Sequence, residues 1–221
     1  YLVYASAWLK VRKPEDFYAG VLAAQPMGFW SPQSLVADAL RHGVRVLPAD
    51  INRSLAQATV EQWEDHQDAD RSDQWGPLRP HPAAPSALDV HDDLAVRLGL
   101  APLKGLGERA AQAIVTERRA HGPYRDLADL ARRVSLSRSR LEALAVSGAL
   151  DSLGTERRQA LWAAGVLSDE HGRRRGTSHQ GQGAWCQPTL PGTAVGAVAP
   201  TLPAMTDRER QAADLSLTGV S

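Results

Sequence analysis

The sequence predicts a mainly α protein, with a helical segment at the N-terminal side, a tandem helix-hairpin-helix domain further on, and a small β hairpin at most. Three observations carry this. Proline and glycine punctuate several runs with apolar residues at helical spacing, a Gly-Leu-Gly turn opens into a helix of small apolar residues, and few stretches alternate like strands. The 221 residues are 43% hydrophobic and 23% charged, enough to bury one sizeable core or two small ones.

In chain order, Tyr1 to Lys10 is a mixed apolar and aromatic stretch. Pro14, Glu15 and Asp16 then form a helix first turn, with proline where no amide donor is needed and acids at the positive dipole end. That helix should run to about Ala24, with Phe17, Val21 and Ala24 on one face and Tyr18 and Leu22 flanking it. Ser31 caps the next helix with Pro32 at its first position, and Leu35, Val36, Ala39 and Leu40 form its apolar stripe up to Gly43. Val44 to Leu47 is a short strand candidate. Ala58 to Pro85 turns acidic and then proline-rich, with Trp63 and Trp75 as large apolar groups, and reads as an extended connector. Leu88 to Val90 and Leu94 to Leu98 are placed to pair across an Asp92-Asp93 turn.

From residue 100 the helical signals return: Gly107 to Ala120 closed by Gly122-Pro123, Asp126 to Arg133, Ser137 to Ser147 closed by Gly148, and Thr155 to Ala164 closed by Gly165. Ser168 to Ala184 is a linker by composition, and Met205 to Leu215 is a last short helix capped by Thr206. The implied organisation is a helical segment over 1–57, a connector over 58–87, the tandem hairpin domain over 88–165, a flexible linker over 166–204, and the start of a C-terminal region over 205–221.

Composition excludes several function classes. Cys186 is the sole cysteine, so neither an internal disulfide nor a cysteine-based zinc cluster is available, and the seven histidines lack paired metal-ligand spacing. The apolar opening stops at Lys10, short of the roughly 20 residues of a membrane span, and no small-residue cleavage site follows it, so a cytoplasmic chain without membrane partners is expected. It begins without Met inside a helix-like run and reads as a piece of something longer. Net charge is zero but uneven: residues 50–99 carry 4 basic and 10 acidic side chains, whereas residues 100–154 carry 9 and 6.

The basic stretch contains Leu103 to Val115. Gly105 and Gly107 permit a tight turn without a Cβ between the loop and an approaching phosphate, so backbone amides and a positive helix end can face an anion. Leu106 points inward and pins the turn. Ala110, Ala111, Ile114 and Val115 keep the following helix slim, while Lys104 and Arg109 add charge-assisted contacts. Glu108, an unhelpful charge beside a phosphate, is placed to cap its own helix end. A second hairpin, Val134-Ser135-Leu136-Ser137, lacks glycines, and Arg138 and Arg140 are its candidate contacts. These features point to duplex DNA held by its phosphates without reading sequence.

Taken together, Tyr4-Ala5-Ser6-Ala7-Trp8-Leu9-Lys10 with Pro14, Ala24-Gln25-Pro26-Met27-Gly28-Phe29-Trp30-Ser31-Pro32, Arg41-His42-Gly43-Val44 and Pro48-Ala49-Asp50-Ile51-Asn52 resemble the fingers of bacterial C-family DNA polymerases, the polymerase III alpha-subunit family, in its damage-induced, error-prone branch. Arg97-Leu98-Gly99-Leu100 leading into Lys104 to Gly107, and Ser147-Gly148-Ala149-Leu150-Asp151, resemble its hairpin domain. The resemblance implies fingers that close over an incoming nucleotide and a hairpin domain that grips the duplex, as part of an error-prone DNA-directed polymerase in translesion synthesis. It also implies that the palm with its metal-binding aspartates lies upstream of Tyr1, so no catalytic residue, metal site or cofactor is expected in this chain and Mg2+ belongs to the complete polymerase. Partners implied are duplex DNA, the remaining polymerase domains and accessory mutagenesis proteins. Gln187-Pro188-Thr189-Leu190-Pro191 sits where replicative relatives carry a sliding-clamp peptide, but Pro191 replaces the aromatic anchor, so little clamp affinity is expected. Tyr1, Tyr4 and Trp8 are expected in the core, with Tyr4 and Lys10 as candidates for the nucleotide's vicinity, and Trp162 and Trp185 as packing residues. The alternative is a stand-alone hairpin-type DNA-binding scaffold of a repair or recombination complex.

Overall fold

A computed structural model of the chain describes residues 1–27, 29–63, 88–165 and 202–217. The linker stretch Ser168 to Ala184, most of the connector, Trp75, Trp185 and the clamp-like Gln187 to Pro191 lie outside them. The fold is mainly α: α1 (Leu2–Arg12), α2 (Pro14–Ala23), α3 (Pro32–Arg41), α4 (Glu108–His121), α5 (Leu127–Arg133), α6 (Arg138–Val146), α7 (residues 157–165) and α8 (Asp207–Leu217), with three short strands, β1 (Arg45–Leu47), β2 (Thr59–Gln62) and β3 (Leu94–Arg97).

The helix boundaries follow the local signals. Pro14 opens α2, and the Ser31 hydroxyl accepts the Ser34 amide at the start of α3. The buried face of α2 departs from expectation. Glu15, Tyr18, Ala19 and Leu22 are inside, whereas Phe17 is only half-buried and Ala24 is exposed. Two polar anchors set this rotation: the Tyr18 hydroxyl donates to Asp38 at 2.7 Å, and one turn away the Glu15 carboxylate accepts the His91 amide at 2.7 Å. A buried carboxylate and phenol need such partners, so they decide which face turns inward.

α1 is a second correction. Tyr1, Tyr4 and Trp8 are exposed, not core, and no residue of α1 is buried. Its apolar side chains are scattered around the helix, so no single face can be covered at once. α1 is tied down through its polar end, where Lys10 pairs with Asp38 at 2.8 Å and Arg12 with Asp89 at 3.0 Å. Trp162 is likewise partly exposed on α7.

The strands differ most from expectation. Leu88 to Val90 does not pair with β3. Instead β3 lies central in a mixed sheet of order β1-β3-β2, parallel to β1 (Val46 opposite Val96) and antiparallel to β2 (Val60 opposite Val96). β2 comes from the start of the stretch expected as a connector. The Asp92-Asp93 turn lacks the glycine that a two-residue hairpin favours. Ala95 and Val96 are buried, so β3 satisfies its backbone through a neighbour on each side. Arg97, also buried, donates to the Pro48 carbonyl at 2.9 Å and pairs with Glu61 at 2.6 Å.

Two apolar clusters result. One joins α2, α3 and the sheet through Tyr18, Leu22, Val36, Val44, Val46 and Val96. The other joins Ala49, Ile51 and Ala56 to α4, α5, α6 and α7. Leu98 packs against both. Beside it Gly99 passes so close to the 56–58 backbone that a Cβ would lie 2.5 Å from the Ala56 carbonyl oxygen, which explains glycine there.

The C-terminal helix packs back on the hairpin unit. Thr206 caps α8 as expected, its amide reaching Glu209 at 2.8 Å in a reciprocal box. From α7, buried Arg157 pairs with Asp214 at 2.7 Å and Arg158 with Glu209 at 2.7 Å. Gly148, at φ +76°, leaves the space the Arg157 guanidinium fills. Asp151 stands 3.5 Å from Arg157, and burial pushes its carboxyl up to about 6. A carboxyl whose folded pKa lies above its unfolded one opposes folding when ionised. Its penalty is therefore absent below about pH 4, grows between pH 4 and 6, and is complete above. Asp151→Asn is expected to stabilise the protein at pH 7.5 by on the order of 1 kcal/mol, discounted because the side chain is 35% exposed, and not at pH 3.5. Urea midpoints at the two pH values test this; an equal shift at both would refute it.

Candidate nucleic-acid interface

The turn expected to bind phosphate is built from local causes. Pro102 cannot donate an amide, and the limb before the turn is two successive tight turns, Leu103 N–H to Leu100 and Leu106 N–H to Leu103, rather than a regular helix. Leu106 is buried between the two glycines, as its pinning role requires. Gly105 and Gly107 are exposed at φ +91° and +77°, where L side chains are strained, and the space beside Gly107 is open. α4 starts directly after Gly107 without a capping side chain, and its first bonded amide in the turn is Ala111, donating to Gly107 at 3.1 Å. The amides of Glu108, Arg109 and Ala110 find no acceptor within the described residues; Glu108 and Arg109 are exposed at this positive helix end, and Ala110 is buried behind them.

Lys104 and Arg109 flank these amides, both exposed and without an ion pair among the described residues. Glu108 does not cap its own helix. Gln57 donates to it at 2.6 Å and Gln112 at 3.0 Å, and these two amides hold the carboxylate. Lys104, Gly105, Leu106, Gly107 and Arg109 thus form one cluster. The second hairpin differs: Val134 is buried, and Leu136 N–H closes back on the Val134 carbonyl at 2.9 Å. Arg138 pairs with Glu142 at 2.7 Å, leaving half-buried Arg140 as the less engaged cation. Tyr4 and Lys10 lie on α1. Tyr4 is exposed there, and Lys10 is committed to Asp38 and sits over the Tyr18 ring at 5.4 Å.

Ala110, Ala111, Ile114 and Val115 all face the core of the hairpin unit. Residues that the sequence reading missed hold α4 there. Asn52 makes a two-way clasp with the Tyr124 backbone, its amide donating to the carbonyl at 2.9 Å while its oxygen accepts the N–H at 2.7 Å. Arg118 donates to the carbonyls of Ile51 at 2.6 Å and Ser54 at 2.8 Å. Asp50 accepts the Asn52 amide at 2.7 Å and the Ser152 hydroxyl at 3.1 Å. Burial pushes the Tyr124 phenol up to about 12, and its hydroxyl donates to the Ile114 carbonyl while Arg133 covers the ring at 4.4 Å. The Asp50-x-Asn52-x-Ser54 spacing, which favours side-chain-to-backbone turns, was the available signal.

A slim helix, an inward leucine between exposed glycines and a basic rim define a helix-hairpin-helix protein. The helix-hairpin-helix motif family matches residues 43–160, more than half of the chain, and the chain belongs to that family. Over its whole length it is similar to error-prone DNA polymerases, 42% identical to that of Corynebacterium diphtheriae, 42% to that of Nocardia farcinica and 41% to that of Mycobacterium tuberculosis. The resemblance read from the motifs is thereby shown. The chain spans 16% of the length of these relatives. Among the described residues no helix is long and apolar enough to cross a membrane.

Proposed function

We propose that this chain is the duplex-gripping segment of an error-prone DNA-directed DNA polymerase working in translesion synthesis in the cytoplasm, and that it binds DNA through backbone phosphates irrespective of sequence. The observation that carries the reading is the Lys104 to Arg109 turn, where backbone amides and two cations without partners among the described residues lie at a helix start beside the open space at Gly107. Backbone amides read no bases, so such a grip suits an enzyme that must move along any template. Nucleotidyl transfer belongs to other domains of the complete enzyme, which supply the magnesium site. Among the described residues no three His, Cys, Asp or Glu side chains gather to hold a metal ion.

Lys104→Ala is expected to weaken binding roughly threefold to tenfold on two unrelated duplexes alike, and to reduce the slope of log affinity against log salt by about one. Arg109→Ala should behave in the same way. Arg138→Ala, whose guanidinium is already paired with Glu142, should change the slope little. Anisotropy titrations at several salt concentrations measure all three, and a sequence-dependent loss or an unaltered slope for Lys104→Ala would defeat the reading.

A further inference from the structure

The loop between α2 and α3 has no part in the duplex grip. Gln25 staples it at two points: its side-chain oxygen accepts the Met27 amide at 2.9 Å, and its side-chain nitrogen donates to the Trp30 carbonyl at 3.3 Å. Ser31 and Pro32 then start α3. Beyond these bonds two rings are turned to solvent: Phe29 is 97% exposed and Trp30 60%. Scattered exposed apolar residues are ordinary, but two consecutive exposed rings offer flat apolar faces side by side in sequence.

The loop also adjoins the proposed phosphate grip. Gln25 and Pro32 line one small apolar cleft together with Pro102 and Leu103, and Leu103 directly precedes the Lys104 to Gly107 turn. Residues 1–49 carry 5 basic and 3 acidic side chains, a balance compatible with a phosphate-bearing strand. The geometry points to a second nucleic-acid contact: Phe29 and Trp30 stack on unpaired bases of a single strand that extends from the duplex held at Lys104 to Gly107. This rests on the duplex-binding reading. Stacking suits a polymerase segment because every base has a flat face, so contact does not depend on sequence. A planar ring is required for it, whereas an apolar protein partner would accept any side chain of similar bulk.

The test compares a blunt duplex with the same duplex carrying a single-stranded extension, with 2-aminopurine placed at each of the first unpaired positions in turn. The chain should prefer the extended DNA by roughly tenfold and quench the probe at one or two positions. The double variant Phe29→Leu, Trp30→Leu keeps apolar bulk without rings. It should lose both the preference and the quench while its blunt-duplex affinity stays unchanged. A leucine variant that retains the preference and the quench, or an unmodified chain that shows neither, overturns the proposal. Lys104→Ala should weaken both DNAs equally. If it alters neither, the duplex reading fails, while ring-dependent quenching on a free single strand still decides whether the aromatic pair stacks.

Discussion

Gly99→Ala should remove much of the protein's stability, by roughly 3 kcal/mol, even though a single methyl group is added. The added Cβ would lie 2.5 Å from the Ala56 carbonyl oxygen and 2.8 Å from the Ala58 amide nitrogen. Those are backbone atoms in the crossing between the two apolar clusters. The Leu100 amide donates to the Leu55 carbonyl at 3.0 Å and the Ala101 amide to the Ala56 carbonyl at 2.9 Å. The chains cannot separate to admit the methyl group without breaking these bonds, and a flexible side chain is not available to yield. Gly20→Ala is the matched control. Nothing lies within 4 Å of its Cβ position inside α2, so alanine should stabilise by up to about 1 kcal/mol through helix propensity. Denaturant midpoints for the pair should move in opposite directions, and a small effect at Gly99 would show that the crossing is looser than described.

The second large effect is expected at Asp214. Its carboxylate lies 2.7 Å from the buried Arg157 guanidinium, and Asp214→Ala leaves that charge with Asp151 at 3.5 Å. Breaking a buried pair by removing one partner costs about 3–5 kcal/mol when the stranded charge cannot reach water. Here it can, because α8 can come away and let water reach Arg157. The expected outcome is therefore undocking of α8, with protease cleavage within 207–217 rising steeply while α4 to α6 stay folded. Far-ultraviolet dichroism with limited proteolysis separates this from global unfolding. Unaltered protection of α8 would show that Arg158 and Glu209 suffice to hold it.

The parts of the fold that were legible beforehand have local causes. Ser31-Pro32 caps and opens α3 within a few residues, Thr206 and Glu209 do the same for α8, and the inward leucine between two left-handed glycines needs no distant partner. The buried positions of α4 follow from their spacing. What escaped is what depends on distant contacts. β2 is a strand because β3 needs a neighbour, and its own residues, Thr59-Val60-Glu61-Gln62, carry no buried side chain to announce it. The face of α2 was misplaced because His91 and Asp38, not apolar spacing, orient it. Pro48 to Asn52 carried a family likeness to the fingers, yet in space Asp50 and Asn52 clasp the hairpin unit, across 72 residues for Asn52 and Tyr124. At the site, the glycines, Lys104 and Arg109 were readable as one cluster. The hydrogen bond by which Gln57, 51 residues away, holds Glu108 was not.

The central position of β3 has a consequence for synthesis on the ribosome. Both neighbours of β3 emerge before it, β1 ending at Leu47 and β2 at Gln62, and in the sheet they are joined only through it. Until Leu94 to Arg97 leaves the exit tunnel, Val44 and Val46 lack Val96, the residue that completes their cluster, and the Asp50 to Ser54 clasp waits longer still for Arg118, Tyr124 and Ser152. Such long-range closures are slow and leave edges unpaired meanwhile. A nascent chain stalled near residue 90 should therefore be a chaperone substrate, and one released past residue 155 should not.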